Sequence, residues 1–280
     1  MDNLELLCNI KNKLGEGPIY DYKNKSISFV DIVGKKLCIL YENNNLKEVE
    51  FNEKIGAAIP NGNGGFLVCC ENKIFLYDNN EIKEYKSLDS IITPGMRCND
   101  AKADMDGRLY FSTMVDDGIN KPHGGLYCLN NNEIICLDNN VKLGNGLAWN
   151  KANNKFYYSD SVEHKIFVFD YDEITGMVSN KKVLFEITDG APDGMTIDSD
   201  GNLFVAVWGG SRIEVRSGVT GDLIDVIKMP TRLVTSCCFV GDALDRLVIT
   251  TAKLDETDDH AGNIFITKTK YKGLKENYVK

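Results

Sequence analysis

Apolar positions along this chain fall into short runs separated by turns rich in Gly, Asn, Asp and Lys, and helical spacing is almost absent. The segment "APDGMTIDSDGNLFVAVWGG", from Ala191 to Gly210, shows the pattern: a short strand, a tight turn and a second strand. The same arrangement begins at Glu16 ("EGPIYDYKNKSISFVD"), near Gly56, at Asn99, at Asn145 and at Ser236, in units of roughly 45 residues. Third strands follow in "KLCIL", "KIFLY", "GGLYCL", "KIFVFDY", "RIEVRS" and "NIFITK", and fourth strands in "LKEVEF", "EIKEY", "EIICL", "KKVLFEI" and "LIDVIKM". The sixth unit lacks a fourth strand, and the N-terminal "ELLCNIK" can supply it without leaving an exposed edge. The pattern predicts an all-β fold: a six-bladed β-propeller over residues 1–280, one domain, with the N-terminal strand closing the last blade.

The first strand of every propeller blade runs along the central channel, so residues at one phase of the repeat form a ring there. In this chain the ring is Glu16, Gly56 to Ala58, Asn99, Asn145, Asp193 and Ser236. Singly, an Asp, Asn or Glu before a strand caps a turn at least as often as it binds an ion. Two carboxylates and two amides at the same phase point to something more, because such groups are costly to desolvate without partners. A divalent cation would offset the two charges. Glu16 and Asp193 with the carbonyl oxygen of Asn145 make an all-oxygen donor set, which suits a hard ion such as Ca²⁺, Mg²⁺ or Mn²⁺.

Composition narrows the choices further. The chain has 280 residues, 43% of them hydrophobic and 9% aromatic, enough for a sizeable core. Its net charge of −9, with Lys scattered, argues against nucleic acid or an anionic membrane as partner. No long apolar run and no signal-peptide pattern at the start is seen, so a cytoplasmic protein is expected, with no obligate protein partner implied. The nine Cys include the adjacent pairs Cys69-Cys70 and Cys237-Cys238, which strand geometry sends to opposite faces, and they read as reduced packing residues. The three His (His123, His164, His260) show no zinc spacing.

The segments "GEGPIY", "RCNDAKADMDGRLYFSTM", "GNGLAW", "PDGMTIDSDGNLFVAVWGG" and "TSCCFVGDALDRLVITTA" resemble the signature segments of the senescence marker protein/gluconolactonase/luciferin-regenerating enzyme family, in the family's order and over nearly the whole chain. The resemblance implies a six-bladed propeller with one divalent cation at the channel mouth (Ca²⁺, Mg²⁺, Mn²⁺ or Zn²⁺) and a small-molecule lactone, best known as a sugar lactone, for substrate. It also implies metal ligands at Glu16, Asn145 and Asp193, substrate contacts at Arg97 and Asn99, and Asp193 as general base. Where regucalcin-like members carry a Glu in the loop after the third blade's second strand, this chain has "STMVDDG", and Asp117 is the nearest equivalent, one methylene shorter. Without the motif, Arg97 would read as a surface charge or a structural ion pair. The loop "VDDGINKPHGG" would be a substrate rim, or simply a tolerated insertion.

The expected activity is that of a metal-dependent, gluconolactonase-like hydrolase. Hydrolysis of phosphotriesters or other esters in the same site, or calcium binding without turnover, are the alternatives. A docking scaffold is the weakest reading, since it has no need of channel carboxylates.

Overall fold

The computed structural model describes residues 4–116, 124–254 and 257–280. Its strands pair into six four-stranded antiparallel sheets, five of them built from four consecutive strands. These are the blades of a β-propeller: residues 15–50, 57–87, 96–141, 144–186, 191–228 and 234–268 in turn. The sixth blade takes its outer strand, Leu4–Cys8, from the N-terminus, paired antiparallel with Ile264–Lys268 so that Leu4 faces Thr267. The ring is closed as the sequence pattern predicts.

Strand composition follows position within a blade. Second strands such as Asn202–Trp208 are apolar nearly throughout, because neighbouring blades cover both of their faces. Outer strands such as Glu81–Ser87 carry charges and lie exposed, which discourages edge-to-edge pairing. The core is accordingly divided. Six clusters of buried side chains lie one between each pair of adjacent blades. Between the fifth and sixth blades, Phe204 meets Phe239 edge-on with ring centroids 4.9 Å apart, and truncating either to Ala should cost about 3–5 kcal/mol. The adjacent cysteines serve two clusters at once: Cys69 packs between the second and third blades and Cys70 between the first and second. Cys237 and Cys238 likewise face opposite neighbours.

Beyond the sixth blade the chain crosses the end of the channel where the innermost strands finish. Gly273 bridges to Asp198, Val279 to Asn61, and the Tyr278 hydroxyl donates to Asp21 Oδ1 at 2.7 Å. The repeat carries no sign of this strap, because it lies outside the periodic units. Among the described residues, no helix is long and apolar enough to cross a membrane.

Candidate active site

The six innermost strands are Gly15–Asp21, Ala57–Pro60, Met96–Ala103, Gly144–Trp149, Ala191–Ile197 and Val234–Val240. Five of them break register with their neighbours, and they do so at the ring positions. The shifts fall between Glu16 and Ile19, Cys98 and Ala101, Asn145 and Leu147, Pro192 and Met195, and Val234 and Ser236. A bulge frees a residue from the ladder and re-aims its side chain, which is what a converging site requires. Glycine follows the ring residue where the bulge is tightest. Gly146 has φ of +27°, and a Cβ on Gly194 would come within 2.1 Å of Ser236 Oγ.

Glu16, Asn99, Asn145 and Asp193, all buried, line one cavity of about 490 Å³ together with Arg97. The remaining ring positions do not line it. Gly56 lets the second blade approach the Asn99 carbonyl, and Ser236 packs against Gly194. Asp117, taken from the sequence as a substrate contact, and most of the loop around it lie outside the described residues.

A chain of hydrogen bonds crosses two blades. Arg97 donates through Nε to Asp116 Oδ1 at 2.7 Å and through Nη1 to Asn99 Oδ1 at 2.7 Å. Asn99 Nδ2 donates to the Gly144 carbonyl at 2.8 Å and to Asn145 Oδ1 at 2.7 Å. Ser161 gives its hydroxyl proton to the Pro192 carbonyl at 2.6 Å, which leaves its lone pairs to accept from Asn145 Nδ2 at 2.8 Å. The Asn145 amide therefore has one orientation, with Oδ1 on the side of Asn99. Asp116 is also paired with Lys54. Burial alone would raise the Asp116 pKa, but hydrogen bonds from Lys54 and Arg97 hold it below the ordinary carboxylate range.

The acids on the cavity are perturbed in the other direction. Burial pushes Glu16 up to about 8, the nearby charge of Asp100 adds to this, and the Gly17 N–H and Arg97 only partly oppose it. Burial raises Asp193 well above its usual value, reinforced by repulsion from Glu16 and Asp100. Asp100, which does not line the cavity but whose charge acts on both of these acids, is itself buried and raised to about 6, and the sequence pattern did not single it out. Strict alternation puts residue 100 on the face opposite Asn99, and only the bulge between Cys98 and Ala101 takes both out of the ladder. Asp100 and Glu276 together keep Lys102 charged against the cost of its burial. At the far end of the channel a second cavity of about 280 Å³ lies against the C-terminal strap, where Lys102 and Glu276 pair at 3.2 Å.

Ser161 and His164 also border the main cavity and were not identified from the sequence. Both sit just after the fourth blade's second strand, Lys155–Asp160, and a ring argument confined to first strands cannot find them. Among the described residues, no three His, Cys, Asp or Glu side chains gather as a metal centre; the candidate donors are two carboxylates and an amide oxygen.

Comparison with known proteins gives this arrangement its context. Residues 14–253 match the sequence model of the SMP-30/gluconolactonase/LRE-like region. The chain is 32% identical over 263 residues to regucalcin of Danio rerio, with 90% of this chain and 88% of that protein covered. It is 33% identical over 267 residues, 90% of each chain, to a Bacillus subtilis protein provisionally named sugar lactone lactonase YvrE. Among solved structures, a luciferin-regenerating enzyme superposes with a TM-score of 0.92 at 31% identity, covering 99% of both chains.

Proposed function

The chain belongs to the SMP-30/gluconolactonase/LRE-like family, and from that premise we propose that it is a divalent-cation-dependent hydrolase that opens a lactone ring. One observation carries the reading: Glu16 and Asp193 are buried together on one cavity, where burial and mutual repulsion outweigh the positive charge of Arg97. Such a pair is disfavoured unless something on the cavity side compensates it. Their oxygens and Asn145 Oδ1 form an all-oxygen set that fits a hard divalent cation. Glu16, Asn145 and Asp193 would hold that ion, with Asn145 fixed in orientation by Ser161. When bound, a divalent cation would neutralise both carboxylates and polarise the lactone carbonyl as a Lewis acid.

The chain's own groups supply the remaining roles. Asp193 accepts the proton of the water that attacks the carbonyl carbon and returns it to the ring oxygen as the acyl C–O bond breaks, which gives the open-chain hydroxy acid. Its buried setting raises its basicity and offsets the loss that ligation brings. Arg97, held in place by Asp116 and Asn99, presents a fixed positive charge to the ester oxygens as negative charge develops there. Asn99 ties that guanidinium to Asn145, so that substrate orientation and cation ligation share one network.

An ion site without turnover would use the same donors, but it would leave Arg97, Asp116 and a cavity of about 490 Å³ without a role. The test is lactone hydrolysis followed by acid release, before and after chelation, with Ca²⁺, Mg²⁺, Mn²⁺ and Zn²⁺ added back singly and a phosphotriester included for comparison. Turnover that is lost on chelation and restored by one of these ions is expected. Turnover indifferent to chelation would remove the cation from the account.

A further inference from the structure

The main cavity divides by chemistry along lines that the repeat itself lays down. Its acids and amides belong to the bulged first strands, whereas Leu14 and Leu143 lie two residues ahead of Glu16 and Asn145. Ile32, Met114, Val162 and Trp208 sit at or just beyond the ends of second strands. Met114 bridges to Leu143 and joins the two sets. Together these six side chains form an apolar collar on the cavity that holds Glu16 and Asp193.

Among the described residues on the cavity, the Glu16 and Asp193 carboxylates are set aside for the cation, and most of the remaining polar groups are already committed to the protein. Arg97 bonds Asp116, Asn99 and the Cys98 carbonyl. Asn99 and Asn145 bond each other, Ser161 bonds Pro192, and His164 Nδ1 lies 2.8 Å from the Gly190 carbonyl. A sugar hydroxyl seated against the apolar collar loses its water and meets hydrocarbon. An alkyl or aryl substituent loses nothing by the same move and buries apolar area.

We propose that the site prefers a lactone bearing an apolar substituent over a polyhydroxylated sugar lactone, with Leu143 and Val162 among the residues that set the preference. The inference rests on the lactonase reading and narrows its substrate class. Six-membered rings allow a direct comparison: δ-nonalactone carries a butyl group, δ-valerolactone carries nothing, and D-glucono-δ-lactone carries hydroxyls.

With the intact protein at saturating cation, and after subtraction of spontaneous hydrolysis, kcat/KM for δ-nonalactone should exceed that for each of the other two by at least about tenfold, since each well-buried methylene is worth about that much or more. Val162→Thr, which keeps shape and adds a hydroxyl, should lower the nonalactone-to-valerolactone ratio about fivefold or more. Leu143→Asn should do the same, with circular dichroism confirming that both variants fold. A preference for gluconolactone, or a ratio unmoved by both variants, overturns the proposal while leaving lactone hydrolysis intact. No turnover of any of the three overturns the lactonase reading and this inference with it.

Discussion

Asn99 in the third blade donates its amide N–H to Asn145 Oδ1 in the fourth at 2.7 Å, so the residue that steadies Arg97 also steadies a candidate cation ligand. On the proposed function, binding of substrate and of cation would be coupled through this one side chain. Asn99→Ala should both raise KM and weaken cation affinity, by several-fold each, because truncating the amide removes its bonds to Arg97, the Gly144 carbonyl and Asn145 Oδ1 together. Titration calorimetry alongside steady-state kinetics checks this. A change in KM alone would show that the two asparagines act independently.

Asn145→Ala removes a neutral ligand and keeps both charges. Cation affinity should fall at least about tenfold, while the fold survives with a loss of roughly 1–3 kcal/mol from the Ser161 and Asn99 bonds. Unchanged affinity by calorimetry would take Asn145 out of the ligand set.

Asp116 touches Arg97 and Lys54 and does not line the cavity, so its part in the proposed activity would be to position Arg97. Asp116→Asn retains an acceptor for Arg97 Nε but loses the charge that holds the guanidinium. KM should rise by about 3- to 30-fold with kcat nearly constant, in line with the worth of a charge-assisted hydrogen bond. A fall in kcat at constant KM would contradict a role confined to positioning.

The raised acids predict a pH dependence of stability for the cation-free protein. Glu16 ionises near 8 when folded and near 4.5 when unfolded, and Asp193 is shifted in the same direction. Between these limits the native state binds more protons than the unfolded chain, so stability is fully present below about pH 4.5 on this account and declines toward pH 8. Saturating cation, by favouring the ionised carboxylates, should remove or reverse the decline. Melting temperatures at pH 5 and pH 8, with and without chelator, give the comparison. A chelated protein more stable at pH 8 than at pH 5 would contradict it.

Blade number, the phase of the ring and the closing strand were legible in the sequence because each depends on local periodicity, and the repeat states that periodicity six times. Glu16, Asn99, Asn145 and Asp193 were legible for the same reason. Arg97, two residues from Asn99 on the same strand, came from its motif rather than from the phase. Asp100 was hidden because a bulge suspends the alternation by which strand faces are read. Ser161 and His164 were hidden because they come from second-strand ends, and the C-terminal strap because it belongs to no repeat. Asp116 was not singled out because only the fold reveals that it meets Arg97, whereas Asp117 lies outside the described residues.

The central claim is that Asp193 both ligates a cation and serves as general base for lactone opening. Asp193→Asn keeps an oxygen for the ion and removes the basicity, so the most direct measurement is the lactonase rate of this variant at saturating cation, with cation binding followed in parallel. A rate lower by roughly 10²- to 10⁴-fold with residual binding is the result predicted. A near-wild-type rate at saturating cation would contradict the assignment and leave Asp193 as an anchor for the ion alone.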